Sequence, residues 1–180
     1  MSLSINIPTI ETDRLVLRGF EERDLDALAE LWADEDVTRF LGGKKSRSDT
    51  WRAMASILGH WFLRGFGFFC VVEKSSGQSI GYCGPWRPEG WPENEIGYGF
   101  SKAAQGKGYA TEAAKTSLQF AYQTLGWSSA ISLIDPQNAA SQNVARKLGA
   151  TLDQPGVDVT DFTADIWRHL PKEEFLERYA

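Results

Sequence analysis

The chain has 180 residues, of which 42% are hydrophobic, and this is enough for one domain with a sizeable core. Its net charge of -5 and its isoelectric point near 5.1 argue against a nucleic-acid-binding surface, because such surfaces are normally basic. No segment approaches the roughly 18 uninterrupted apolar residues of a membrane helix, and the first ten residues do not resemble a secretory signal. We therefore expect a single domain over residues 1–180 that is cytoplasmic and binds neither nucleic acid nor membrane.

The first half of the chain predicts one strand, three helices and a hairpin. Apolar residues at three- and four-residue spacing indicate the helices, and two aromatic and β-branched runs indicate the hairpin. The predicted elements are a strand over 12–19, a helix capped by Asp24, a short helix over 36–41, a helix capped by Ser48 or Asp49 and ended by Gly65, strands over 66–73 and 79–84, and an irregular loop over 85–94. Trp32, Trp51 and Trp61 fall on apolar helical faces and are expected in the core.

The second half predicts strands and helices in alternation. The predicted elements are a strand over 95–100, a helix from about 110, a strand over 129–134, a helix over 138–148, strands over 152–159 and 160–169, and a final helix over 171–179. Cys70 and Cys83 lie in strand-like segments without metal-site spacing, so buried reduced thiols and no metal are expected. This order predicts an α+β or α/β domain with a mixed sheet.

A glycine-rich loop, Gln105–Ala110, joins the strand over 95–100 to the following helix. Gly106 and Gly108 allow a ligand to approach the backbone, and the free N–H groups of a helix's first turn suit an anion. A P-loop would need Ser or Thr directly after Gly-Lys, but Gly108 stands there. A dinucleotide fingerprint would need a third glycine and an acidic residue at the next strand, and both are missing. The loop pattern therefore argues against a nucleotide-binding protein.

The pattern that fits is Gln/Arg-x-x-Gly-x-Gly/Ala, represented by Gln105, Gly108 and Ala110. At this point the chain resembles the GNAT superfamily of acetyl-coenzyme A-dependent N-acetyltransferases. The resemblance implies a GNAT-like, mostly antiparallel central sheet flanked by helices. It also implies that the loop binds the coenzyme A pyrophosphate, through Gln105, Gly106, Lys107, Gly108, Tyr109, Ala110 and Thr111.

A second motif, Asn138-x-x-Ser141 followed by Lys147-Leu148-Gly149, begins the predicted helix over 138–148. From the residues alone, Asn138 is a helix N-cap and Gly149 the residue that ends the helix. The motif also resembles the coenzyme-binding helix of the ribosomal-protein N-acetyltransferase (Rim-type) branch, as does the opening segment 11–18. The resemblance covers residues 11–169 and implies that Asn138, Ser141 and Lys147 contact coenzyme A. By analogy with the family, a homodimer is plausible.

The family resemblance also suggests catalytic residues. Many GNAT enzymes carry a tyrosine four residues after the position of Ser141, and this chain has Ala145 there. Ser141 is then the candidate that hydrogen-bonds or protonates the leaving thiolate. Glu95 is the preferred candidate for the general base, Glu93 is the second choice, and Asp165 and Glu89 are more distant candidates. A backbone N–H near Tyr98 or Gly99 is expected to stabilise the oxyanion.

The acceptor is expected to be an amine, either a protein N-terminus or a small molecule. Trp86 and Trp91 flank the irregular loop and, with Glu93, are candidates for the acceptor pocket, although anchoring of the loop explains the tryptophans equally well. The alternative function is a coenzyme A-binding module without catalysis, with a regulatory or structural role. Glu95 favours the enzyme, and a measured transfer rate decides between the two.

Overall fold

The computed structural model describes residues 6–179. Its strands are β1 (Ile10–Glu11), β2 (Leu15–Arg18), β3 (Phe69–Glu73), β4 (Ser79–Trp86), β5 (Glu95–Phe100), β6 (Ile131–Ile134), β7 (Thr151–Val159) and β8 (Phe162–Arg168). Its helices are α1 (Leu25–Ala33), α2 (Glu35–Thr38), α3 (Arg47–Arg64), α4 (Tyr109–Gln123), α5 (Ala139–Lys147) and α6 (Lys172–Tyr179). The described strands form one sheet in the order β1-β2-β3-β4-β5-β6-β8-β7.

The sheet confirms the predicted fold class. Neighbouring strands are antiparallel except β5 and β6, which are parallel, as a crossover through α4 requires. Helix α4 packs against β4 and β5, and α1 packs against β4 and α3. One large core cluster runs from Leu15 to Phe175 and includes the buried face of α4, so both halves of the described chain contribute to this core.

Several predicted details are wrong. The N-cap of α3 is Ser46, whose hydroxyl accepts the Asp49 N–H at 3.1 Å, rather than Ser48 or Asp49. Asp24 is the N-cap residue of α1, as predicted, but its side chain makes no capping bond there, because its carboxylate forms a two-pronged pair with Arg18. Trp51 is 48% exposed and not part of the core, since the buried face of α3 is made by residues such as Met54 and Trp61.

Strand β4 is longer than predicted and continues through Trp86, so the irregular loop is confined to residues 87–94. Gly65, with φ of +77°, ends α3 as expected. Cys70 and Cys83 are buried and free, in agreement with the sequence, and burial raises the pKa of both thiols to about 12. Among residues 6–179 no helix combines the length and the apolar character that crossing a bilayer requires.

Candidate active site

The loop before α4 has the backbone geometry of an anion cradle. Gly106 and Gly108 have φ values of +75° and +83°, which residues with side chains rarely adopt. Gly108 is the N-cap of α4, and no side chain caps this helix end. The first helical hydrogen bond runs from the Glu112 N–H to the Gly108 carbonyl at 3.1 Å. The N–H groups of residues 109–111 therefore have no acceptor within the helix and, with the helix dipole, favour an anion.

Arg14, in the N-terminal motif, holds this loop in place. Its Nη1 donates to the Lys107 carbonyl at 2.9 Å, and its Nε donates to the Glu112 carboxylate at 2.7 Å. The Thr12 hydroxyl donates to the same carboxylate at 2.6 Å. The pairing with Arg14 offsets the negative charge that Glu112 places in the first turn of α4, where an incoming phosphate would otherwise be repelled.

Arg14→Ala is expected to weaken binding of acetyl-coenzyme A by roughly three- to tenfold, the range of one lost hydrogen bond. The variant frees the Lys107 carbonyl and leaves Glu112 without its cation. Calorimetric titration measures the affinity. Arg23→Ala is the matched control, because Arg23 pairs with Glu21 at 2.9 Å on an exposed turn outside the loop. Equal affinities for Arg14→Ala and the wild type would contradict this role.

A groove of about 430 Å³ extends from the loop to α5. It contains every predicted coenzyme-binding residue except Lys107: Gln105, Gly106, Gly108, Tyr109, Ala110, Thr111, Asn138, Ser141 and Lys147. Lys107 instead lines a separate cavity of about 380 Å³ beside Glu73. The α5 side of the groove is one helix face, formed by Ala140, Asn143, Val144 and Lys147. The structure thus brings the two sequence motifs together on opposite walls of one groove.

Helix α5 begins and ends as the sequence predicts. The Asn138 side chain accepts the Ser141 N–H at 3.1 Å, and Gly149 follows the helix with φ of +80°. Ser141 lies on the groove wall. Ala145 is 1% exposed and belongs to a small core cluster with Ile134 and Trp167. No hydroxyl is therefore available at position 145, where the family resemblance places a tyrosine.

The parallel strands β5 and β6 separate directly after their first residues. Their ladder contains the single pair Glu95 and Ile131, supported by a hydrogen bond from the Ile131 N–H to the Asn94 carbonyl. Ser132 bridges the strands at the next step, where its hydroxyl donates to the Ile96 carbonyl at 2.7 Å. Because the Ser132 hydroxyl proton lies in the bond to Ile96, the Ser132 oxygen acts as the acceptor for His169 Nε2 at 2.9 Å. Beyond this bridge the strands diverge and open a gap in the sheet.

Glu95 lies at the start of this gap. Its Oε2 accepts from the Trp91 indole N–H at 2.6 Å, and its Oε1 accepts from the Leu133 N–H at 3.3 Å. The residue is 8% exposed, and burial raises the pKa of its carboxyl to about 7 despite these two hydrogen bonds. A carboxyl with this pKa exchanges a proton readily near neutral pH, which is the property required of a general base.

A second cavity, of about 120 Å³, lies beside Glu95. It shares Tyr98, Asn138 and Ser141 with the larger groove, so the two spaces adjoin at these residues. The Tyr98 hydroxyl donates to the Ser141 carbonyl at 3.1 Å, across the gap between β5 and α5. A ligand in the groove and one in the cavity would therefore meet between Glu95 on one side and Ser141 on the other.

The model of the family described as "Acetyltransferase (GNAT) domain" matches residues 14–151 of this chain. The chain belongs to the GNAT acetyltransferase family. The uncharacterized protein YkkB of Bacillus subtilis (strain 168) is 34% identical over 146 residues, which are 77% of this chain and 82% of that protein. The acetyltransferase structure from Agrobacterium tumefaciens str. C58 is 30% identical, covers 94% of this chain and 98% of its own, and superposes with a TM-score of 0.83.

More distant GNAT structures share the fold. Aminoglycoside acetyltransferase AAC(6')-Ib, solved in complex with coenzyme A, has a TM-score of 0.74 at 19% identity and covers 91% of this chain and 98% of its own. Two ribosomal-protein acetyltransferase structures, from Vibrio cholerae and Vibrio fischeri, share the fold at 19% and 16% identity. The family assignment and the fold predicted from the sequence are both confirmed.

The predicted acceptor-pocket residues lie outside the lining of the small cavity. Trp86 stacks against His60 and Phe68, with ring centroids 4.2 Å and 4.4 Å away. Trp91 lies behind Glu95, as its hydrogen bond shows. Glu93 forms a two-pronged pair with Arg168 at 2.7 Å and 2.9 Å. In this GNAT domain the two tryptophans therefore support the site, and Glu93 is held in an ion pair.

The other carboxylates considered for the base lie less favourably than Glu95. The hydrogen bond from Arg168 holds the pKa of Glu93 below its ordinary value, which makes it a weak base. Glu89 is exposed and pairs with Arg64 at 3.2 Å. Asp165 accepts the Gly156 N–H at 2.9 Å, within the β7–β8 hairpin. Glu95 alone among these four lines the small cavity.

Three features of the site escaped the sequence reasoning. These are the clamp of Arg14 on the loop, the Tyr98 hydroxyl at the junction of the two spaces, and the Ser132–His169 bridge. Burial lowers the pKa of His169 to about 4, so its ring is neutral and acts as a fixed donor to Ser132. Each feature joins segments far apart in the chain, and local spacing carries no signal for such contacts.

Proposed function

We propose that this GNAT domain transfers the acetyl group of acetyl-coenzyme A to a primary amine, with coenzyme A in the large groove and the amine beside Glu95. The observation that supports this most is the meeting of the two spaces at Tyr98, Asn138 and Ser141, next to a buried carboxylate. Acetyl-coenzyme A would supply the activated acetyl group, whose C–S bond breaks as the amine nitrogen forms the new C–N bond. No metal is needed, and a cytoplasmic location and a homodimer stay predictions.

The groove fits the coenzyme's chemistry. A diphosphate carries negative charge and many acceptor oxygens, which match the free N–H groups at residues 109–111. Asn138 and Lys147 lie on the α5 wall of the groove and would bind the pantetheine arm and a phosphate. The AAC(6')-Ib structure with coenzyme A supports the same co-substrate for this fold.

Glu95 would act as the general base. The amine nitrogen attacks only when it is neutral, whereas an aliphatic amine of pKa about 10.4 is almost fully protonated at pH 7. A buried carboxylate with a pKa of about 7 accepts this proton near neutral pH, either directly or through water. Glu95 would therefore bind the ammonium form and then generate the nucleophile.

The ladder between β4 and β5 favours Tyr98 over Gly99 as the oxyanion donor. The Ser101 N–H bonds to the Ile80 carbonyl, so the odd-numbered residues of β5 direct their N–H and C=O groups toward β4. The even-numbered residues direct them toward the gap, as the bond between Ser132 and the Ile96 carbonyl illustrates. The Tyr98 N–H would therefore face the reacting carbonyl, while the Gly99 N–H belongs to the ladder.

Two hydroxyls would stabilise the departing thiolate by hydrogen bonding. Ser141 lies on the groove wall, and the Tyr98 hydroxyl lies against the Ser141 carbonyl. Burial raises the pKa of Tyr98 above its ordinary value, so this hydroxyl keeps its proton; it would turn from the Ser141 carbonyl to donate that proton in a hydrogen bond to the thiolate. A thiolate whose acid has a pKa near 8.5 leaves without much help, so a modest contribution from each hydroxyl is sufficient.

Trp91→Phe is expected to move the neutral inflection of the pH–rate profile to higher pH. The indole N–H stabilises the charged form of Glu95, and a phenyl ring keeps most of the packing but not the donor. The measurement is kcat/KM against pH with any acetylated amine. Trp127→Phe is the control, since Trp127 packs in the core against Phe66, and its profile should keep the wild-type inflection. A profile for Trp91→Phe that overlays the wild type would remove Trp91 from this role.

The proposed function is tested by calorimetric titration with acetyl-coenzyme A, followed by a thiol-release assay over amines and N-terminal peptides. Binding with turnover would establish the N-acetyltransferase. Binding without thiol release on any amine would favour the alternative, a coenzyme A-binding module without catalysis. Absence of binding would overturn both functions.

A further inference from the structure

The small cavity beside Glu95 combines acidic side chains with aromatic and aliphatic ones. Its described lining contains two carboxylates, from Glu95 and Asp135, and no Lys, Arg or His. The remaining lining includes large aromatic and aliphatic side chains, among them Phe40, Phe68, Tyr82, Tyr98, Leu133 and Ile134. Acids attract an ammonium group, and aromatic faces both attract a cation and bury an apolar body.

The size of the cavity limits what it can hold. Its volume is about 120 Å³, whereas pockets for drug-sized ligands are about 300–1,000 Å³ and an engineered cavity of about 150 Å³ binds benzene. A body of about one ring is therefore the largest that fits without rearrangement. A folded protein surface or a multi-ring sugar would place most of its atoms outside.

Gly97 on β5 keeps this space open. A Cβ built there would lie 3.0 Å from the Phe68 ring and 3.6 Å from the carboxyl carbon of Glu95. Any side chain at position 97 would therefore occupy the place where an acceptor contacts both the aromatic wall and the base. The arrangement of Gly97, Phe68 and Glu95 suits an apolar group that carries its amine next to the carboxylate.

We propose that the acceptor is a small monoamine whose ammonium group is attached to an apolar body, preferably a single aromatic ring, and that it lacks a carboxylate. This rests on the proposed acetyl transfer. An added carboxylate would be placed near Glu95 and Asp135 with no cation in the lining to pair with it. A linear diamine would bring no ring to the aromatic side chains of the lining, and the methylene chain between its ammonium groups fills less of the cavity than a ring does.

The experiment compares kcat/KM for four probe amines: 2-phenylethylamine, phenylalanine, 1,4-diaminobutane and a tetrapeptide with a free alanine N-terminus. Phenylalanine differs from 2-phenylethylamine only by its carboxylate and isolates the charge effect. We expect 2-phenylethylamine to exceed each of the others by at least about tenfold, because like-charge placement and the burial of unpaired polar groups are both costly.

A charge variant tests the same inference within the chain. Asp135→Asn is expected to reduce the discrimination against phenylalanine by several-fold, since it removes one of the two repelling carboxylates. Asp158→Asn is the matched control, because Asp158 is exposed on β7 and only accepts from the Thr163 hydroxyl. Its selectivity should equal that of the wild type.

A failure of the proposed acceptor class can be distinguished from a failure of the proposed transferase function. Preferential acetylation of the diamine, the peptide or phenylalanine would overturn the proposed acceptor class and leave acetyl transfer to amines intact. Failure to acetylate any of the four, or any amine in the wider thiol-release assay, while acetyl-coenzyme A still binds, would overturn the acceptor class together with the transferase function.

Discussion

The Glu95→Gln variant is expected to lose roughly two to four orders of magnitude in kcat/KM at pH 7.5, the range typical of a lost general base. The glutamine oxygen replaces the acceptor of the shorter bond, from the Trp91 indole at 2.6 Å, and the NH2 group then faces the Leu133 N–H, whose bond to Glu95 is the longer one at 3.3 Å. It cannot take the proton of an ammonium group. Affinity for acetyl-coenzyme A should be unaltered, because Glu95 does not line the large groove.

The dependence of kcat/KM on pH is expected to differ between the wild type and Glu95→Gln. In the wild type, Glu95 becomes a carboxylate as pH rises through about 7, so kcat/KM should rise with an inflection there. In Glu95→Gln this inflection should disappear. The loss should be largest just above neutral pH and shrink as pH approaches about 10, where a free aliphatic amine supplies its own neutral form. Activity measured against pH for both proteins tests this.

Stability provides the control for Glu95→Gln. A carboxyl whose pKa is raised from 4.5 to about 7 on folding binds more protons in the native state across that interval, so folding stability falls as pH rises through it. Glutamine removes this penalty, and the variant should melt above the wild type at pH 8 but not at pH 4. Lost activity with raised stability cannot come from misfolding. An unchanged inflection, or a loss below about threefold, would exclude Glu95 as the base.

The sequence predicted the elements of the site better than their contacts. The strand 95–100, the glycine loop, the α4 face and the Asn138 cap follow from local patterns, namely strand residues, positive-φ glycines, helical spacing and an N-cap side chain. The roles of Gly108 and Asn138 were accessible because a turn or a cap is determined within a few residues. The geometry of these segments confirms the predicted elements and the Asn138 cap, and coenzyme A binding by these residues stays a prediction.

The features that the sequence did not predict depend on which strands of the sheet separate and on which side chains face the gap between them. Trp51 has the helical spacing of a core residue, yet the buried face of α3 is rotated away from it. The sequence pattern places Trp86 in the irregular loop, but the residue belongs to β4, because that strand extends two residues beyond its predicted end at residue 84. Glu95 is buried and its carboxylate accepts from Trp91 and Leu133, and no local pattern in the sequence shows these contacts. Tertiary packing decides all three.

Gly108→Val is expected to weaken binding of acetyl-coenzyme A by at least about a hundredfold, or roughly 2.7 kcal/mol. With φ of +83° the backbone at Gly108 disfavours a β-branched residue, and relieving the strain would turn the first-turn N–H groups away from the phosphates. The nearest atom to a Cβ at position 108 is Arg14 Nη2 at 3.4 Å, an ordinary van der Waals contact, so the Cβ itself clashes with nothing. The expected loss therefore comes from the cradle itself, as calorimetric titration would measure.

The matched control for Gly108→Val is Gly126→Val, just beyond the C-terminal end of α4. Gly126 has φ of +73° and no atom within 4 Å of a built Cβ, so Gly126→Val imposes a similar backbone strain away from the groove. Both variants should lose a comparable free energy of unfolding, on the order of 1–3 kcal/mol. Only Gly108→Val should lose affinity for the coenzyme. Equal affinity in the two variants would mean that the N-terminus of α4 is not the phosphate site, and coenzyme A would then have to bind through α5 alone.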